Sequence, residues 1–278
     1  MRRFGLFLTA LALSTVVGVG CGADDLSPEN AVANAATRTS EAGTSRISFS
    51  GALKVSDFGG KTLRFTGEGI FDYRSTLGRV RYDLSEMAKA AGLAGGDDWV
   101  ADIVLLDDRF FMRLPALTAN LPHSRPWIEV PIETKSGLKP SQLAQIGGAN
   151  NPAELLQFLR GASEDVETVG EERVRGVETT RYGATVDFAM IVKKAPEDAQ
   201  PSLSRELEQR EAAGRDTTFR MEVWIDEDGL ARRVHERDEE GDLRMELYDF
   251  GIEVDVEPPP SDDVMSEEAF DRLVEAES

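Results

Sequence analysis

Cys21 is the single cysteine of the 278-residue chain, and it directly follows an apolar run. Its thiol has no second cysteine with which to form an intrachain disulfide. A thiol in this place can instead carry a diacylglycerol, and cleavage of the chain before it would free an amine for a further acyl chain. The residue type and its position therefore indicate covalent lipidation at Cys21.

The segment that precedes Cys21 has the layout of a secretory signal peptide. Arg2 and Arg3 form a positive head, residues 4–19 are almost wholly apolar, and small glycines stand beside the cut. The apolar run of about 16 residues is shorter than the roughly 20 that span a bilayer as a helix. The segment resembles a bacterial lipoprotein signal, whose box here reads Gly18-Val19-Gly20-Cys21.

We therefore predict a lipoprotein signal peptide over residues 1–20 and an acylated tether over residues 21–26. Palmitate-type chains on Cys21 would hold the mature protein at the extracytoplasmic face of the cell membrane, in the cell envelope. Two alternatives stay open, which are an uncleaved membrane anchor and ordinary secretion with a free thiol.

Residues that could support catalysis or metal binding are sparse. His123 and His235 are the only histidines, and neither has metal-ligand spacing to a second histidine or a free cysteine. The acids of residues 226–229 lack the pattern of a calcium loop and predict a hairpin turn. No nucleophile elbow, phosphate loop or dinucleotide motif is present. We predict a protein that is not an enzyme and that has no metal site and no cofactor.

The charge balance limits the classes of partner. The chain has 31 basic and 51 acidic residues and a net charge of −20, and removal of the signal would take away two arginines and no acid. Such acidity disfavours nucleic acid, which requires basic surfaces. It equally disfavours docking onto anionic headgroups by charge alone.

Period-two alternation of apolar residues dominates residues 44–256 and predicts about eleven antiparallel strands. A helix is expected from Pro28 to about Ala42, and further helical segments near residues 85–92, 140–160 and 187–213. The order of elements predicts an α+β fold, in which helices cover the apolar face of a strongly curved half-barrel sheet. A β-sandwich is the alternative architecture. We assign residues 27–257 to this domain and residues 258–278 to an acidic C-terminal tail, either disordered or with a short amphipathic helix.

Three glycines, Gly51, Gly67 and Gly69, fall on the apolar face of two neighbouring strands. Glycine inside a strand permits sharp coiling or the close approach of another group. Two interpretations therefore stay open: coiling for internal packing, and room for an apolar guest between the sheet and its helices.

A block in the second half of the chain resembles one found in actinobacterial lipoproteins. It comprises residues 152–161, 165–170, 176–182 and 184–187, and it is similar to the LppX/LprG family, related in fold to the LolA and LolB carriers. The resemblance implies an eleven-stranded half-barrel around helices, with an apolar cavity that binds lipids or acylated glycolipids. It provides no motif from which to transfer a binding residue, so candidates for the cavity wall come from periodicity alone. They are Phe49, Leu53, Phe65, Phe71, Tyr82, Leu156, Leu159, Met221 and Val223.

These observations predict a monomeric, membrane-anchored lipoprotein that binds and carries a lipid or acylated glycolipid, with an envelope transport protein as a partner class. The alternative is an interaction or sensor module with a filled core and no lipid cargo. A carrier of other lipoproteins is a third interpretation, and it would require binding to an acylated peptide.

Overall fold

The computed structural model describes residues 27–55, 61–75, 77–90, 92–93, 96–106, 109–119, 123–131, 165–194, 200–212, 214, 216–237 and 241–277. The predicted cysteine anchor and the predicted helices between residues 140 and 160 lie outside these ranges.

Helix α1 (Pro28–Glu41) begins where local sequence chemistry favours it. Ser27 is its N-cap, and the Ser27 hydroxyl accepts a hydrogen bond from the backbone N–H of Asn30 at 3.4 Å. Pro28 occupies the first turn, where its missing N–H costs nothing. The helix buries Val32, Ala35 and Ala36, so small residues allow it to lie close to the sheet.

The described residues contain twelve strands, all in one open sheet. Its order is β12-β6-β5-β4-β3-β2-β1-β11-β10-β9-β8-β7, and every pair is antiparallel except β12 with β6. The strands are β1 (Thr44–Val55), β2 (Lys61–Asp72), β3 (Leu77–Asp83), β4 (Val100–Leu106), β5 (Arg109–Arg113), β6 (Trp127–Pro131), β7 (Glu167–Val174), β8 (Val177–Asp187), β9 (Thr218–Asp226), β10 (Ala231–Arg237), β11 (Gly241–Tyr248) and β12 (Val264–Ser266).

Five further helices accompany α1 among the described residues. They are α2 (Ser85–Ala90), α3 (Pro115–Thr118), α4 (Phe188–Lys194), α5 (Gln200–Ala212) and α6 (Glu267–Glu277). The α+β fold class predicted from the sequence is confirmed, with a curved, open antiparallel sheet and helices against its apolar face.

The eleven predicted strands correspond to β1–β11, and β12 is additional. The last predicted strand ends at Tyr248 rather than near residue 256, because Asp249 and Gly251 adopt φ angles of 50° and 75°. A strand cannot continue through two left-handed residues.

Residues 258–277, set apart in the sequence analysis as an acidic tail, contain β12 and α6. Met265 and Phe270 from this region are 7% and 6% exposed and belong to the main core. The Ser266 hydroxyl accepts a hydrogen bond from the N–H of Ala269 at 3.2 Å and thereby caps α6. The C-terminal region therefore closes one end of the sheet.

Candidate functional site

The inner face of the sheet, defined here as the face that carries the main core, presents a continuous apolar row. Paired residues of successive strands, from β8 through β9, β10, β11, β1 and β2 to β3, form the row and lie directly opposite one another. The row runs Tyr182, Val223, Val234, Met245, Phe49, Gly67 and Tyr82. An apolar surface of this extent is what an acyl chain would require.

Three of the predicted wall residues form an aromatic cluster on this face. The ring centroids of Phe49 and Tyr82 are 4.7 Å apart, and those of Phe49 and Phe65 are 6.3 Å apart. All three side chains are at most 5% exposed. Tilted rings at these separations stabilise one another beyond the area that they bury.

Aromatic rings fill the space beside two of the three glycines on the apolar face. A Cβ atom on Gly51 would stand 2.2 Å from Cζ of Phe65, and one on Gly67 would stand 2.1 Å from Cζ of Phe49. At Gly69 a Cβ would stand 2.4 Å from the backbone oxygen of Arg79, so there the neighbouring strand itself approaches closely. Of the two interpretations left open for the glycines, these contacts favour internal packing.

The structure brings most of the predicted wall residues into one core. Phe49, Phe65, Tyr82, Met221 and Val223 are buried members of the main core, and Leu53 packs against it half-buried. Phe71 is 1% exposed but lies outside that core, next to Tyr73 at a centroid distance of 5.4 Å. Leu156 and Leu159 lie outside the described residues.

Glu236 is an inner-face residue that the sequence analysis did not single out. It is half-buried and stands opposite Met221 of β9 and Leu243 of β11. A register shift between Ala231 and Arg233 moves Val234 and Glu236 to the inner face together. Strict alternation from Val234 onward would have revealed this carboxylate.

His235 lies on the outer face and is buried there. It is 7% exposed, with Nε2 3.1 Å from Asp242 Oδ2 and Nδ1 3.7 Å from Glu222 Oε2. Burial alone would raise the pKa of Asp242, but hydrogen bonds from His235 and Arg237 hold that pKa below its ordinary value. The histidine therefore joins strands β9, β10 and β11 through a local polar network.

The β7–β8 hairpin folds across the outer face instead of only extending the sheet edge. Arg175, in its turn, lies 2.8 Å from Glu246 of β11, and Glu172 accepts a hydrogen bond from Trp224 Nε1 at 2.9 Å. The guanidinium groups of Arg181 and Arg233 stand 5.1 Å and 5.0 Å from the Trp224 ring. This hairpin covers Trp224, which is 2% exposed.

Several charged side chains of the outer face form ion pairs between neighbouring strands. Examples are Arg113 with Asp102, and Arg233 with Glu246. In the part of the chain that the structure describes, no group of three His, Cys, Asp or Glu side chains is placed to hold a metal ion. Nor does a helix long and apolar enough to cross a bilayer occur within those residues.

Comparisons with known proteins give a mixed result. No family model matches the chain. A 31.2 kDa protein from the rplA–rplJ intergenic region of Streptomyces griseus is 30% identical over 200 residues, which are 67% of this chain and 62% of that protein. The chain thus spans less than two thirds of that relative's length.

Two solved structures resemble this one over most of their length. LprF from Mycobacterium bovis matches with a TM-score of 0.47 and 10% identity, over 84% of this chain and 97% of LprF. The Mycobacterium tuberculosis lipoprotein LppX matches with a TM-score of 0.46 and 13% identity, over 82% of this chain and 98% of LppX.

Proposed function

We propose that the protein binds a lipid or an acylated glycolipid against the inner face of the sheet and carries it at the cell envelope. The observation that supports this most is the apolar row across the inner face of an open sheet. Among the described residues, α1 contacts β7, β9 and β10, α2 contacts β2, α4 contacts β8, and α6 contacts β6 and β12. An acyl chain along the row would gain about 0.8 kcal/mol for each methylene removed from water.

The anchoring of the protein is part of this proposal. Acyl chains on Cys21 would hold it at the extracytoplasmic side of the membrane, since two or more chains give stable attachment where one is marginal. Cys21→Ser is expected to lose the acyl mass and to leave the membrane fraction. A matched chain with Cys21→Ser and Ala23→Cys keeps a thiol outside the box and should behave the same way. If intact-mass spectrometry of the wild-type chain showed an unmodified Cys21, the anchor would be refuted.

A second candidate function is an interaction or sensor module with a filled core. The burial of Phe49, Phe65 and Tyr82 and the filling of two glycine notches by rings favour it. In such a protein the outer face of the sheet, and not the inner face, would bind a partner protein.

Val223→Phe separates the two candidates, because Val223 lies in the row between Tyr182 and Val234. In a core without cargo, overpacking costs about 1–3 kcal/mol of stability. In a lipid site the added ring takes the place of acyl carbons, so the delipidated variant stays as stable as the delipidated wild type and binds less lipid. Arg220→Phe, on the exposed face of the same strand, is the matched control. Unchanged lipid content together with a loss of stability of that size would reject the carrier proposal.

A further inference from the structure

The C-terminal strap, residues 252–263, crosses the outer face of β4, β5 and β6 and forms one wall of an open cavity there. Val256 of the strap and Val264 pack against a small second core made of Val104, Phe111 and Trp127. The strap is thus held on the sheet by the burial of apolar side chains.

Hydrogen bonds fix both ends of the strap. The Thr44 hydroxyl donates to the backbone oxygen of Ile252 at 2.6 Å. Nη1 of Arg125 donates to the backbone oxygens of Ser261 and Val264 at 3.2 Å and 2.5 Å. Three consecutive prolines, residues 258–260, stiffen the chain between these points. The wall that the strap provides is therefore preorganised, which lowers the cost of binding a ligand.

The cavity between strap and sheet has a volume of about 410 Å³. This value is in the range of small-molecule sites, roughly 300–1,000 Å³. The strap, strands β5 and β6, and β12 supply its lining. The lining residues are Arg109, Phe111, Glu129, Pro258, Pro259, Ser261, Val264, Met265 and Ser266.

Two oppositely charged side chains line this cavity, and neither has a hydrogen bond or ion pair to a described residue. Arg109 stands 5.2 Å from the Phe111 ring, but its guanidinium has no hydrogen bond or ion pair to any described residue. Glu129, on the adjacent strand, likewise has no ion pair or hydrogen bond among the described residues. Elsewhere on this face, Arg113 is bound to Asp102.

We propose that this cavity, which we call the strap site, binds a small zwitterion that carries a phosphate or carboxylate group and an ammonium group. Arg109 would bind the anionic end through its planar guanidinium, and Glu129 would bind the ammonium end. A ligand with a single charge would satisfy one of these residues and leave the other without a partner. The site lies on the opposite face of the sheet from the apolar row and is independent of lipid carriage.

Calorimetry on the full-length protein tests the strap site with three probes: phosphoethanolamine, inorganic phosphate and ethanolamine. We expect phosphoethanolamine to bind at least about tenfold more tightly than either single-charge probe, because both ends form charge-assisted hydrogen bonds. Arg109→Gln and Glu129→Gln should each remove this advantage. Arg79→Gln and Glu68→Gln make the same charge changes outside the cavity and should leave binding unchanged.

Glycerophosphoethanolamine distinguishes a lipid headgroup from a free phosphate monoester. Binding as tight as that of phosphoethanolamine would indicate a headgroup, and binding at least about tenfold weaker would indicate a free monoester; both results support the site. Neither probe has an acyl chain, so the test is blind to the inner face. Equal affinity for all three original probes, absence of saturable binding, or unchanged affinity in Arg109→Gln and Glu129→Gln would overturn the proposal.

Discussion

At the scale of single residues, Gly51 shows how an absent side chain shapes the core. The Phe65 ring lies across Gly51, and the three nearest atoms to a Cβ there would all belong to that ring. Glycine normally weakens a strand, since it gains more backbone freedom on unfolding than alanine does. The space that it leaves is here used by a buried aromatic side chain.

Gly51→Ala is therefore expected to destabilise the protein by about 1–3 kcal/mol, in spite of the better strand propensity of alanine. Phe65→Leu in the same chain should recover most of that loss, because leucine does not reach Gly51. Urea denaturation of both single variants and the double variant measures the coupling free energy. Additive losses would mean that the ring does not depend on the glycine.

Glu172 makes the stability depend on pH in a defined direction. Its hydrogen bond from Trp224 and then that from Arg233 outweigh burial and lower the pKa of its carboxyl below the ordinary value of 4.5. A lowered pKa in the folded state contributes stability that is complete above the unfolded value and is lost as the pH falls through the folded value.

Glu172→Gln should accordingly cost about 1 kcal/mol at pH 7, a modest figure because the carboxyl is partly exposed to solvent. The difference from wild type should shrink as the pH falls from 5 to 3, since protonation removes the same charge. Denaturation midpoints across this range measure it, with the exposed neighbour Glu171→Gln as control. A difference that grows toward pH 3 would contradict this assignment.

At the scale of elements, helix α6 converts an acidic C-terminal region into part of the core. Phe270 is 6% exposed within the main core, whereas Val274, one turn further along the helix, is 39% exposed. The first turn of the helix, with Glu267 and Phe270, is therefore buried, and its last turn is exposed.

Phe270→Ala should cost about 3–5 kcal/mol, the usual effect of removing a buried aromatic ring. Val274→Ala on the same helix should change stability by less than about 0.5 kcal/mol. Thermal or chemical unfolding of the two variants provides the comparison. Equal, small effects would show that α6 does not contribute to the core.

The strands could be predicted because the alternation of apolar residues is a local pattern in the sequence. The features that were missed depend on contacts with residues far away in the sequence. Alternation of apolar residues sufficed for β1–β11, because each strand buries one face. Strand β12 has three residues and pairs in parallel with β6, so no alternation marks it. The burial of His235 depends on acids from β9 and β11, and the cover of Trp224 depends on the β7–β8 hairpin. The sequence around His235 or Trp224 does not show which distant residues contact these side chains.

At the scale of the whole molecule, the two faces of one sheet have different chemistry. The described inner face is mainly apolar, with Glu236 among its few polar residues, and many charges of the outer face form ion pairs between neighbouring strands. On the proposed function, the inner face holds acyl chains while the acidic exterior keeps the anchored protein in water. The strap site on the outer face would then act independently of the cargo.

The central claim is that an acyl chain completes the inner face. The most direct measurement is an experimental structure of the protein purified from a membrane-bearing host. The proposed function predicts continuous alkyl density along the row from Val223 to Tyr82, with a bound lipid of matching mass in native mass spectrometry. Side chains that interdigitate across this space, in a protein free of lipid, would contradict it and favour the interaction module.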